Sequence, residues 1–295
     1  MYFTGFADEA ADDIDGQIAV TRELGWQAIE SRNIDGKNIH DISDAEFEAV
    51  CEKLAVSDVR INCFGSAIAN WGKKITDPPD SSIAELQRAI PRMQRLGTKL
   101  IRIMSFAVLP DREPDDQMEE ERFARVRKLT EILLDNGIQP VHENCMNYGG
   151  MGWTYTLKLI DAVPGLKLVF DTGNPVFTDD RTQPKPYPKQ SAWEFYANVR
   201  DYIAYVHIKD GVMVHDPEKD GMSCKFTWPG DGDGDVKRIL HDLIDQGYDG
   251  GISIEPHMGA VYHDPSITSD AAARYATYLE YGRRIERIID ECTQH

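Results

Sequence analysis

The sequence predicts an α/β protein built as one closed (β/α)8 barrel, and three observations carry that reading. Eight short, β-rich apolar runs alternate with longer stretches of helical period, the pattern of repeated βα units around a parallel sheet. Glycines stand where helical stretches give way to the next run. No G-x-G-x-x-G follows the first run, and a doubly wound open sheet would use fewer strands and such a turn. The 295 residues suit a single TIM-barrel domain over 1–295.

The expected strands cover 2–6, 28–31, 59–64, 100–106, 139–145, 166–171, 203–208 and 251–255. Between them, Phe123, Val126, Thr130 and Leu133 fall at spacings of three and four, which puts one apolar stripe on a helix. Tyr275, Tyr278, Leu279, Gly282, Ile285 and Ile289 do the same near the C-terminus. Gly25, Gly97, Gly137 and Gly247 precede strands, where a left-handed residue ends a helix at little cost. Gly230, Gly232 and Gly234 in PGDGDGD read as a turn, because the interleaved aspartates repel phosphate and no Lys-Ser/Thr follows. The Pro-rich stretch at 181–190 reads as a long βα loop, a lid candidate, within the same domain.

Lys and Arg number 32 against 50 Asp and Glu, a formal charge of −18. Nucleic acid and acidic membrane surfaces are therefore excluded as expected partners, since both need a basic footprint. Five scattered cysteines with no C-x-x-C pair argue against a disulfide framework or zinc ribbon. The start MYFTGFADEA lacks a basic segment followed by an apolar one, and no apolar run is long enough to span a bilayer, so a cytoplasmic protein is expected.

Active sites of such barrels form at the C-terminal ends of the strands. Four of the expected strands end in a metal-ligand type: Glu143 in QPVHENC, Asp171 in LKLVFDTGN, His207 in IAYVHIKD and Glu255 in GGISIEPH. Intervals of 28, 36 and 48 residues match successive βα units, so four consecutive strands deliver these groups to one place. Three carboxylates meeting an imidazole repel one another unless a divalent ion or bound protons intervene. Three oxygens and one nitrogen favour Mn²⁺, with Mg²⁺, Co²⁺ and Zn²⁺ as alternatives, and leave positions open for substrate oxygens. Such a site suits proton transfer beside a carbonyl through an enediolate, with Glu143 and Glu255 on opposite sides of the substrate. Alternatively the glutamates only ligate, and Lys209 or His257 moves the proton.

Together, HEN at His142 to Asn144, FDTGN ending at Asn174, VHIKD ending at Asp210, the PGDGD turn and SIEPH ending at His257 resemble the xylose isomerase-like barrel superfamily. This is the sugar phosphate isomerase/epimerase and AP endonuclease family 2 group, and the resemblance covers nearly the whole chain. It implies one divalent metal held by Glu143, Asp171, His207 and Glu255. It also implies departures. The nuclease branch needs additional histidines where this chain has Asn174, INCFGS and RIMSF. Ketose 3-epimerases of the family carry a His and an Arg where Asn174 and Lys209–Asp210–Gly211 stand, which argues against free ketohexoses as substrates. The H-x-K-D form is similar to broader isomerase, epimerase and inosose-dehydratase branches, where Lys209 assists proton transfer or binds a substrate oxygen, or is merely paired with Asp210.

Glu30, Arg32, Asn62, Ser105, Trp228 and His257 are the expected substrate-binding positions, near strand ends or turns; Trp71 is a further stacking candidate, and His142 and His257 flank ligands. The leading expectation is a metal-dependent isomerase or epimerase acting on a sugar or keto-sugar, with Glu143, Glu255 and Lys209 catalytic. A lyase or dehydratase on a keto-polyol or oxidised sugar is the alternative from the same site, and a non-catalytic sugar-binding protein the third. Self-association is left open, since barrels of this kind often pair.

Overall fold

A computed structural model of the protein describes residues 1–217, 221–261 and 264–293. Eight parallel strands form the barrel: β1 (Tyr2–Gly5), β2 (Ala28–Ser31), β3 (Arg60–Phe64), β4 (Leu100–Ile103), β5 (Gln139–Glu143), β6 (Lys167–Asp171), β7 (Ile203–Ile208) and β8 (Gly251–Ile254). Each pairs with its sequence neighbour from β2 to β8, and β8 returns to β1. A parallel bridge from Phe6 to Glu30 joins the two remaining edges at the mouth. Closure matters because it leaves no long open edge and points all eight strand ends at one solvent-facing mouth.

The strands lie where the apolar runs predict, but several are shorter. β4 stops at Ile103 because the next amides turn to a neighbouring loop: Met104 donates to Ile68 O and Phe106 to Ala69 O. Phe106 takes a positive φ of 66°, which no strand accommodates.

Among the described residues, eight helices of eight or more residues alternate with the strands: α1 (Ile14–Glu23), α2 (Asp44–Ala55), α3 (Asp80–Leu96), α4 (Glu119–Asp135), α5 (Trp153–Ala162), α6 (Ala192–Val199), α7 (Val236–Asp245) and α8 (Ala271–Thr293). Ser43 and Glu46 form a reciprocal capping box that starts α2. Gly97 ends α3 at φ 71°, and Gly25, Gly137 and Gly247 adopt the same left-handed geometry, as their positions predict. The stripe of α4 buries Val126, Thr130 and Leu133, and that of α8 buries Tyr278, Leu279, Gly282, Ile285 and Ile289.

Most of the core lies between the strands and the helical ring. Cys63, Val141, Val169 and Tyr205 fill a separate inner layer within the barrel, so the barrel is a packed plug below its mouth rather than a pore. Among the described residues no helix is long and apolar enough to cross a membrane. All five cysteines are free thiols.

The long interval before β8 contains a structure that periodicity does not reveal. After β7 the chain forms an antiparallel hairpin of Gly211–Asp216 against Gly221–Phe226 before the PGDGDGD turn. That turn is a cradle for a carboxylate. The amides of Gly211 and Gly234 donate to Asp210 Oδ1, and those of Gly230 and Gly232 donate to Oδ2, at 2.8–3.0 Å. The glycines thus bind an anion after all, but it is the chain's own aspartate.

Candidate metal centre and active site

β5, β6, β7 and β8 deliver Glu143, Asp171, His207 and Glu255 to the barrel mouth. One ligand atom from each lies within 4.8 Å of the others, and all four residues are buried. The four strand-end residues singled out from the sequence are therefore brought together.

Their partners aim them inward. The amides of Gly173 and Asn174 donate to Asp171 Oδ1 at 2.8 and 2.7 Å, while Oδ2 faces Lys209 Nζ at 3.0 Å. Arg102 donates to Glu143 Oε2 at 3.0 Å and Asn174 Nδ2 to Glu143 Oε1 at 3.1 Å. Asn144 ties β5 to β6, giving a hydrogen bond to Asp171 O and accepting one from its amide. Glu255 accepts from Arg32 at 2.9 Å through Oε1 and from Lys209 at 2.9 Å through Oε2.

His207 is held from behind, its Nε2 lying 3.0 Å from Glu30 Oε2, which also accepts from Ser253. Its buried Nδ1 has no hydrogen-bond partner and faces Glu143 Oε1 at 3.6 Å and Asp171 Oδ2 at 3.9 Å. An imidazole nitrogen that faces two carboxylates without a hydrogen bond to either, with its other nitrogen anchored on a third, is the arrangement a divalent cation would complete. The donor set of three carboxylates and one imidazole fits Mg²⁺ or Mn²⁺.

The electrostatics match this geometry. Burial by itself would raise Glu143, yet the Arg102 guanidinium and His207 hold its carboxyl down at about 2. Burial, with the charges of Glu255 and Glu143, pushes Asp171 up to about 6 against the pull of Lys209. His207 is drawn up to about 10, because Glu30 and Glu143 outweigh the cost of burying its charge. Lys209 is likewise raised by Asp171 and Glu255 despite burial. These are the shifts expected where excess negative charge is packed together and the nearest cations answer it.

A cavity of about 50 Å³ opens over the quartet, and Arg32, Trp71, Arg102, Lys209 and His257 line it alongside Glu143 and Glu255. Of the expected substrate-binding positions, Arg32 and His257 line this cavity. Lys209 bridges Asp171 and Glu255, and Asp210 is held instead by the glycine cradle, so the pairing of these two neighbours does not occur. Glu30 lies behind His207 rather than in the cavity.

Asn62 sits two residues before the end of β3, about 7 Å deeper at strand rise, where it bonds Thr4, Tyr2 and Tyr205. Ser105 is fully buried under the β5–α5 connection with His142, Asn147 and the Gly149 amide. His142 therefore supports a loop rather than a ligand, and burial pushes its imidazole down to about 4. Trp228 packs on Tyr281, with Arg284 4.3 Å above its ring, and does not line the cavity.

Two participants escaped the sequence reading. Arg102 lies inside the apolar run LIRIM, and a buried arginine in such a run demands a carboxylate partner, a signal that was present. Glu9 binds His257 through both its amide and Nδ1, at 2.7 and 2.8 Å, with no comparable sequence cue. Glu9, Glu255 and His257 also cluster, but the Arg32 guanidinium lies between Glu9 and Glu255 and supplies the positive charge there.

Fold and site define a (β/α)8 barrel with a carboxylate–imidazole quartet at the C-terminal ends of its strands. The xylose isomerase-like TIM barrel family model matches residues 18–278, and the chain belongs to that family. A search of curated proteins gave no match. Among solved structures, a xylose isomerase-like TIM barrel protein from Mycobacterium smegmatis, in complex with magnesium, is 19% identical with a TM-score of 0.68, covering 99% of this chain and 97% of that one. D-psicose 3-epimerase with D-tagatose from Clostridium cellulolyticum H10 is 15% identical with a TM-score of 0.67, covering 98% and 99%. The probable 3-DHS dehydratase of petrobactin synthesis from Bacillus anthracis is 15% identical with a TM-score of 0.64, covering 95% and 98%. At these identities the likeness is one of fold.

Proposed function

We propose that this protein is a divalent-metal-dependent isomerase or epimerase acting on a sugar or keto-sugar by proton transfer through an enediolate. The observation that carries the reading is the unpartnered Nδ1 of His207, buried between Glu143 and Asp171. Glu143, Asp171, His207 and Glu255 would hold the ion, which when bound supplies Lewis acidity toward the substrate's carbonyl and hydroxyl oxygens.

The chain's own groups do the rest. Glu143 closes β5 and Glu255 follows β8, three strands further round the barrel, so one would take the carbon-bound proton and the other return it. Arg102 keeps Glu143 ionised, the form a base requires, and lowers its proton affinity in doing so. Arg32 and Lys209 do the same for Glu255, and Lys209 is placed to bind an oxyanion that develops on the substrate. Glu30 fixes the rotation of the His207 ring.

A lyase reading rests on Lys209. Its ammonium, buried between Asp171 and Glu255, could hydrogen-bond a departing hydroxyl, so that the same enediolate would expel a β-substituent. One experiment separates the readings. Protein stripped with chelator and reloaded with Mg²⁺ or Mn²⁺ is incubated with keto-sugars in D₂O. Metal-dependent deuterium uptake without loss of water supports the isomerase or epimerase, and metal-dependent loss of water, with or without deuterium uptake, supports the lyase. Absence of both exchange and water loss in every metal state rejects both.

A further inference from the structure

The mouth cavity does not end at the quartet. Trp71, Met146 and Phe177 line it and equally line a second, outer cleft of about 350 Å³, so the two spaces share a wall of large apolar side chains. Beyond those three, the outer cleft is bounded by Val108, Met151 and the two ends of the Pro-rich loop, at Arg181 and Lys189.

That loop is fastened as a wall. Asp179 and Lys189 form an antiparallel bridge, the Asp180 amide donates to Pro188 O, and the Arg181 amide donates to Met151 O at 2.8 Å. The Gln190 side chain reaches across to Gly150 O at 2.7 Å and to Thr178 Oγ1 at 3.0 Å. Charges on the rim are largely spent within the protein: Lys189 binds Asp179 and Phe177 O, and Arg181 lies over the Tyr187 ring. What the cleft presents to a ligand is mainly flat and apolar surface, with Met146 41% exposed.

A reacting unit held over the quartet and nothing more would leave this surface bare. An apolar wall continuous with a polyol-binding mouth accommodates a ring with an apolar face joined to that polyol. We propose that the substrate has two parts, a reacting sugar unit at the quartet and a second ring, a sugar or an aromatic aglycone, seated in the outer cleft between Trp71, Val108, Met146 and the Pro-rich loop. The inference rests on the sugar-directed function proposed above and deepens it: the substrate class is a glycoside rather than a free monosaccharide.

The test is calorimetric binding by the full chain loaded with Mn²⁺. The probes are D-glucose, D-galactose and D-xylose, their phenyl β-glycosides, and cellobiose, lactose and xylobiose. At least one extended ligand is expected to bind about ten-fold more tightly than its parent sugar. Val108 lines the outer cleft and not the mouth cavity, so Val108→Glu, in protein whose circular dichroism is unchanged, should remove that gain and leave the parent's affinity within about two-fold. A gain confined to phenyl glycosides identifies an aromatic second ring, and one confined to disaccharides a second sugar. If no extended ligand gains about ten-fold in the unsubstituted protein, or if the gain survives Val108→Glu, the two-part substrate is wrong. Such a result is distinct from failure of the proposed function, which is read from metal-dependent deuterium exchange.

Discussion

His207 and Glu30 form a buried pair, with Nε2 3.0 Å from Oε2, that joins the seventh strand of the barrel to the second. Through it, Glu30 orients an imidazole whose other nitrogen points at Glu143 and Asp171. Glu30→Gln keeps the shape and removes the charge, so metal affinity should fall about 10- to 100-fold, as is typical when a ligand loses its supporting carboxylate. Titration of the folded variant with Mn²⁺ measures this. Unchanged affinity would mean that Glu30 does not act through His207.

Arg102 is the charge that keeps Glu143 ionised. Arg102→Met leaves a buried carboxylate without its nearest cation, and stability should fall by about 3 kcal/mol. Arg102→Lys restores the charge but not the planar fork and should recover only part of the loss. Urea unfolding of the three proteins decides it; equal midpoints would remove Arg102 from the account.

The glycine cradle around Asp210 leaves no room for a side chain. A Cβ added at Gly232 would overlap Asp210 Oδ1 and the backbone of Gly211. Gly232→Ala, and separately Asp210→Ala, which leaves four amides without their acceptor, should each cost about 2 kcal/mol or more. Because Lys209 adjoins Asp210, turnover should fall as well. Wild-type stability in both variants would show the cradle to be incidental.

His40 gives a pH dependence away from the site. Its ring is fully buried with neither nitrogen hydrogen-bonded, and burial pushes it down from 6.5 to about 4 despite neighbouring Asp41. A base with a depressed folded pKa binds its proton more readily when unfolded, so its contribution is present above about pH 6.5 and is lost as pH falls toward about 4. That loss should reach at most about 3 kcal/mol. Replacing His40 with Asn should flatten the profile of melting temperature against pH in this window. An unchanged slope would assign acid sensitivity to other groups.

The barrel and its quartet were legible because a buried parallel strand is an apolar run, and a polar residue closing it sits at the mouth. Glu143, Asp171, His207 and Glu255 all obey that rule. Asn62 and Glu30 do not separate by the same rule: both are polar residues in apolar runs, and only the three-dimensional register sends one to the tyrosine hydroxyls below and the other behind His207. The partner of the GDGDG turn was hidden because Asp210 lies some twenty residues earlier, across a hairpin that periodicity does not mark.

Metal stoichiometry tests the central claim most directly. Isothermal titration of the chelator-treated protein with Mn²⁺ should show one ion per chain. Ala in place of His207, or Asn in place of Asp171, should abolish that binding in a protein whose circular dichroism is unchanged. Absence of saturable binding by the unsubstituted protein, or equal binding by both variants, would contradict a quartet built to hold a cation.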